Sequence, residues 1–193
     1  MLLETSRLPA TDPRPEASGT RFQGAGSSRC APPRGFRSAE GVRHAWLSGG
    51  GPFGRAPSLR GKSAAQKAGI RYERKVNKEL ALEFGDAFQS SVWFKYEDST
   101  GQHWCQVDGL WQRGGKEVVI FEVKSRFTSD GWFQLRRLYE PVIRKALYPA
   151  ALRHVLIVKS FDPSMPFPED FNLIPSVRSP LESGVVSVLP WRL

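Results

Sequence analysis

The run Val118-Val119-Ile120-Phe121-Glu122-Val123-Lys124 constrains the fold more than any other stretch of the chain. It is rich in β-branched and aromatic residues, and the turn-forming Arg113-Gly114-Gly115-Lys116 precedes it, so it reads as a buried strand. Yet it carries a carboxylate and an ammonium. Side chains alternate across a strand, which puts Glu122 and Lys124 on the face of Val118 and Ile120, with Val119, Phe121 and Val123 on the other. Charges in such a strand are costly unless they pair or bind something.

The flanking sequence supplies its neighbours. Gln102 to Gln112 alternates as a strand, with Trp104, Gln106, Asp108 and Leu110 on one face and Cys105, Val107, Gly109 and Trp111 on the other. The Gly114-Gly115 hairpin can bring Asp108 beside Glu122. Phe88 to Glu97 is a further strand, and Asp98-Ser99-Thr100-Gly101 turns it back, so three strands form an antiparallel meander. A helix from Ser63 to Phe84 precedes them, with Ser63 as N-cap and Gly85 as its stop. Its apolar stripe includes Tyr72, Val76 and Leu80, and Glu73 lies at the edge of that stripe. Ser129-Asp130 should cap a second helix from Gly131 to about Tyr148, kinked or divided by Pro141. Arg153 to Lys159 is a fourth strand; arriving after a helical crossover, it should run parallel to the strand before the helix. Residues 162–180 read as irregular, and Gly184 to Leu189 as a last short strand. The order is α-β-β-β-α-β, an α/β fold with a mixed sheet flanked by helices.

The chain has 193 residues, enough for one domain with a core, and a formal net charge of +9, which favours a polyanionic partner. Its two cysteines, Cys30 and Cys105, form no CxxC pair, so neither a disulfide framework nor a structural zinc site is expected, and an intracellular, cytoplasmic setting is. No run approaches the roughly 20 apolar residues of a membrane span, and no partnership with a membrane is expected. Residues 1–60 differ from the rest: rich in Pro, Gly, Ser and Arg, without Ile or Lys, and without period. They read as a disordered arm. It is either an Arg-rich arm for nucleic-acid phosphates or an extension without function. The folded domain then covers 61–193.

Three acids and a lysine can assemble in that domain. Hard cations such as Mg²⁺ take oxygen ligands, commonly one or two carboxylates with waters and substrate phosphate. Asp108 and Glu122, with Glu73 from the first helix, offer such a set, and Lys124 could orient a water or offset developing charge. Gln134 could bind a metal water or a phosphate. Arg136, Arg137 and Lys145 crowd the second helix, where they contact nucleic-acid phosphates or form a solvated face.

This arrangement resembles the PD-(D/E)xK nuclease superfamily, over roughly Lys62 to Lys159. The resemblance lies in Glu73 on the leading helix, Asp108 on the middle strand, Glu122-Val123-Lys124 on the next and Gln134 on the following helix. It implies a restriction-endonuclease-like α-β-β-β-α-β core and Mg²⁺- or Mn²⁺-dependent cleavage of DNA, with RNA not set aside. It also implies Asp108 and Glu122 as metal ligands, Glu73 as an auxiliary one, and Lys124 as the catalytic lysine. An auxiliary acid like Glu73 belongs to the Holliday junction resolvase-like and RecB-like branches, of which the spacing of Gln134 and Tyr139 weakens the second; resolvase-like relatives act as dimers, so a homodimer is open. The RecB-like branch carries Gln-x-x-x-Tyr, whereas Gln134 and Tyr139 are five apart. A phage or mobile-element role in recombination or repair follows by analogy. The rival reading is a non-catalytic nucleic-acid-binding module with a nuclease-like fold.

Overall fold

The computed structural model describes residues 20–23, 30–51 and 61–192. Eight strands form one mixed sheet. They are β1 (Thr20–Phe22), β2 (His44–Ser48), β3 (Phe88–Asp98), β4 (Gly101–Arg113), β5 (Glu117–Arg126), β6 (Ala151–Ser160), β7 (Phe171–Leu173) and β8 (Val186–Pro190). Their spatial order is β1-β7-β8-β6-β5-β4-β3-β2. The meander β3-β4-β5 is antiparallel and β6 runs parallel to β5, as the short turns and the helical crossover require.

Helix α1 (Ala64–Phe84) begins in a capping box. The Gln66 N–H donates to Ser63 Oγ at 3.2 Å and the Ser63 N–H to Gln66 Oε1 at 2.9 Å, so two otherwise orphaned donors are satisfied. Gly85, at φ 59°, ends it. Tyr72, Val76 and Leu80 recur one turn apart and pack on Val119, Phe121, Val123, Val155 and Ile157, covering one face of the sheet. Val118, Ile120, Leu152 and Leu156 face the other way, under Trp132, Leu135, Val142 and Ile143. Full burial of each such aliphatic side chain contributes roughly 1.5–3 kcal/mol. The alternation expected of β5 is therefore the observed one, and it places Glu122 and Lys124 on the second face.

The second helix departs from expectation. Its N-cap is Thr128, not Ser129, and it falls into α2 (Ser129–Phe133), a π-helical segment (Gln134–Tyr139) and α3 (Glu140–Leu147). Proline explains part of this. Pro141 has no N–H to give the carbonyl of Arg137, four residues back. That carbonyl instead accepts from the Ala39 N–H at 2.8 Å and the Ser38 hydroxyl at 3.1 Å.

The same contact corrects the reading of residues 1–60 as an arm without regular structure. Ala39 is fully buried. Strands β1 and β2 both come from this region and occupy opposite edges of the sheet. The expectation for 1–19, 24–29 and 52–60 lies outside the described residues. Residues 162–180, expected to be irregular, contain β7, paired with β1 and β8. No helix among the described residues is long and apolar enough to cross a membrane.

Candidate active site

The site forms where two strands part. Pairing of β4 with β5 runs from Arg113↔Glu117 to Gly109↔Phe121, and the next opposed residues are Asp108 and Glu122. There the Val123 N–H donates to Asp108 Oδ2 at 2.8 Å, so a side-chain carboxylate takes the place of a ladder carbonyl. On the other side of β4, Ser91↔Asp108 is the one gap in the β3–β4 register. Ser91 sits at φ 55°, a left-handed conformation that costs a non-glycine residue on the order of 1–3 kcal/mol.

The alternation expected for β4 breaks at this point. Val107 and Leu110, three apart, enter the same core cluster, which a strict period of two forbids. Gly109 faces the opposite cluster; a Cβ there would lie 2.8 Å from the Phe88 ring. Asp108 thus occupies the switch between faces. It does not share a regular face with Trp104 and Gln106, and its carboxylate turns into the gap beside β5.

Glu122 is buried, 1% exposed, and Lys124 Nζ lies 2.5 Å from its Oε1. Its Oε2 is buried with no hydrogen-bonding partner. Burial pushes the Glu122 carboxyl up to about 8, the Asp108 charge adds to this, and Lys124 and the Tyr139 hydroxyl oppose it. Asp108 is also raised by burial, against the Val123 N–H, Lys124 and Glu122. Burial would lower the Lys124 ammonium, but Glu122, Asp108 and Asp130 outweigh it, and the pKa lies above the ordinary lysine value. Glu73, half-buried on α1, is raised to about 7 by burial and by Asp108, while Lys124 and Arg74 pull it down. So Asp108, Glu122 and Lys124 act on one another electrostatically, and Glu73 feels Asp108 and Lys124.

Among the described residues, no group of three or more His, Cys, Asp or Glu side chains stands ready to hold a metal ion. The donor set still fits a hard divalent cation. Asp108 and Glu122 supply the one or two carboxylates that Mg²⁺ takes from a protein, and Glu122 Oε2, unlike the Oε1 that Lys124 holds, makes no hydrogen bond.

Gln134 lies nearby, with its Oε1 buried and unpartnered and its Nε2 3.5 Å from the Tyr139 hydroxyl, the outer limit of a hydrogen bond. The two residues span the π-helical segment. Tyr139, 3% exposed and within influence of both Glu122 and Asp108, is a site residue that the sequence reading did not select. Arg136 and Arg137 are engaged elsewhere. Arg136 pairs with Glu140 at 2.5 Å and Glu169 at 3.8 Å, and Arg137 with Glu40. Neither they nor Lys145 lines the cavity beside Lys124. Compared with protein families, curated proteins and solved structures, the chain matches none.

Proposed function

We propose that this chain is a divalent-metal-dependent nuclease of the PD-(D/E)xK kind, hydrolysing phosphodiester bonds of DNA. The carrying observation is the juxtaposition at the strand split: the Asp108 carboxylate facing a buried Glu122 whose Oε2 has no partner, with Lys124 2.5 Å from Oε1. The element order α1-β3-β4-β5-α2/α3-β6, with β6 parallel to β5, supports a restriction-endonuclease-like core. The approach of Gln134 to Tyr139 supports the RecB-like branch, because the π-helical segment absorbs the extra residue between them.

A bound Mg²⁺ or Mn²⁺ would polarise the phosphodiester and lower the pKa of an attacking water. Asp108 and Glu122 would hold it, with Glu73 as an auxiliary carboxylate. Lys124 keeps its proton, as its raised pKa requires, and so acts as a fixed cation for charge developing on the phosphoryl oxygens. Gln134, with a free carbonyl oxygen, would orient a water or the phosphate.

One observation favours the rival reading, a nuclease-like module that binds without cutting: no ready cluster of three metal-ligating side chains exists among the described residues. Incubating the full chain with linear, plasmid and single-stranded DNA, and with RNA, with and without Mg²⁺ or Mn²⁺, separates the two. Metal-dependent cleavage that Asp108→Asn and Lys124→Ala abolish is the expected result. Binding with no cleavage under any metal would overturn the enzymatic reading in favour of the module.

A further inference from the structure

We infer that the segment Pro33–Arg37, from the N-terminal region, is part of the substrate site: the cavity beside Lys124 takes one unpaired nucleotide of a nucleic-acid strand, with Arg34 and Arg37 on its phosphates. The ligand class rests on the nucleic-acid reading above; the cleavage step does not enter. The cavity measures about 580 Å³. One wall is Lys124, Asp130 and Gln134; the facing wall is Arg34, Phe36 and Arg37. Lys124 is already paired with Glu122, so Arg34 and Arg37 are the cations that make it an anion site, and it opens from the candidate catalytic lysine.

The facing wall is held in place. Ala39 is buried and its N–H is bound to the Arg137 carbonyl that Pro141 leaves free. The Phe36 ring lies 5.7 Å from that of Phe133, and the Phe36 N–H closes a turn onto the Pro33 carbonyl at 3.0 Å. Gly35 supplies the positive φ, 77°, that this turn needs. Arg37 Nη1 is 3.1 Å from Thr100 Oγ1 and 3.0 Å from the His103 ring, which Asp98 holds in turn at 3.0 Å. That anchors one nitrogen of a guanidinium with five N–H donors, and the others make no hydrogen bond among the described residues. Arg34 is exposed and has no carboxylate partner among the described residues. Neither guanidinium touches a carboxylate directly among the described residues; Asp98 stands behind Arg37, on the far side of Thr100 and His103, and Arg34 has no such anion.

Size sets the form of the ligand. The volume falls within the ~300–1,000 Å³ of small-ligand sites. A single nucleotide fits such a space, and an unpaired or turned-out base has the half-buried Phe36 ring to stack on, which a base inside a duplex does not.

The test is fluorescence anisotropy of the full chain with a labelled oligothymidylate and with a blunt duplex of equal length. It is run over a salt series in EDTA, so that no cleavage intervenes. The single strand is expected to bind more tightly. Arg34→Ala is expected to weaken binding and to reduce the slope of log K against log salt by about 0.7, the single-strand value for one phosphate contact. Arg37→Ala does the same, but it also cuts the tie to Thr100 and His103. Arg34→Ala, which breaks no bond among the described residues, is therefore decisive, with an unchanged thermal midpoint as the folding control. An unchanged slope in Arg34→Ala, or equal affinity for the duplex, overturns the inference. Arg34-dependent binding by a chain that never cuts sustains it while the nuclease reading falls. Cutting that Arg34→Ala leaves intact, with binding unchanged, does the reverse.

Discussion

At the scale of single residues, the central fact is a fully buried carboxylate, Glu122, with the partly exposed Asp108 carboxylate close beside it. Their repulsion disfavours the doubly ionised pair, and a divalent cation would relieve it. Asp108→Asn tests this directly. The amide oxygen can still accept the Val123 N–H, while the charge facing Glu122 is gone. In metal-free buffer at pH 8 the variant is expected to melt at or above the wild-type temperature. Its nuclease activity is expected to fall by at least the roughly 100-fold that outer-shell partners of a metal alone can carry. A variant that loses stability and keeps activity would show Asp108 to be a structural hydrogen-bond acceptor. Added Mg²⁺ should raise the midpoint of the wild type and leave that of the variant unmoved, since binding to the native state stabilises it by mass action. Asp108, Glu122 and Lys124 were legible in the sequence because a charge inside an apolar strand has few explanations. Tyr139 was not, because a separation of five residues from Gln134 has no meaning in a regular α-helix; only the π-helical segment brings the two together.

At the scale of elements, the helix over the site is joined to its strand by a charged clamp. Glu140, at the start of α3, accepts from Arg136 at 2.5 Å and from Arg144 at 2.9 Å, and stands 3.3 Å from Nε2 of His154 on β6. Burial alone would raise Glu140, but His154, Arg144 and Arg136 outweigh it and hold the carboxyl down at about 2. His154 is lowered by burial, against the pull of Glu140. Both folded-state values lie below the unfolded ones, so both groups contribute stability at neutral pH that is lost on acidification. The window runs from 6.5 downwards for His154 and from 4.5 towards 2 for Glu140. Denaturant midpoints measured from pH 7 to pH 5 should therefore fall for the wild type and stay flatter for His154→Leu, which has no proton to take up. Pro141 gives a second prediction. Pro141→Ala restores a helical donor to the Arg137 carbonyl, which then competes with Ala39 and Ser38. Faster amide exchange at Ala39, by the order of 1 kcal/mol in opening free energy, with β5 protection unchanged, is the expected outcome. The elements themselves were read well where burial marks the sequence: α1 and β3 by their period, β5 and β6 by apolar runs buried on both faces, and β4 by alternation up to the break at Asp108. Strands β1 and β2 escaped because none of their side chains is fully buried, so no alternation marks them.

Across the whole molecule, the segments before residue 49 supply both edges of an eight-stranded sheet. Strand β2 covers β3, and β1 covers β7. The β2–β3 seam has its own side-chain ties. Lys95 Nζ lies 5.5 Å from the Trp46 ring centroid, and just beyond β2 Gly51 passes so close to Trp93 that a Cβ would come within 2.7 Å of its ring. A row of unpaired backbone N–H and C=O groups on a long strand is a template for pairing with another chain. β3 is the greater hazard, because it spans Phe88–Asp98 and carries the buried rings of Phe94 and Tyr96. A chain that starts at Gly61 keeps α1 and every residue of the strand split, so a site that depends on those alone should survive. It leaves β3 and β7 bare and removes the Arg34–Arg37 wall. Such a chain is expected to self-associate in size-exclusion chromatography with light scattering at concentrations where the full chain is monodisperse. It should also lose affinity for single strands even in its monomeric fraction. A truncated chain that stays monomeric, melts with the full-length midpoint and binds single strands as well would show that the N-terminal region is neither the edge of this sheet nor part of its site.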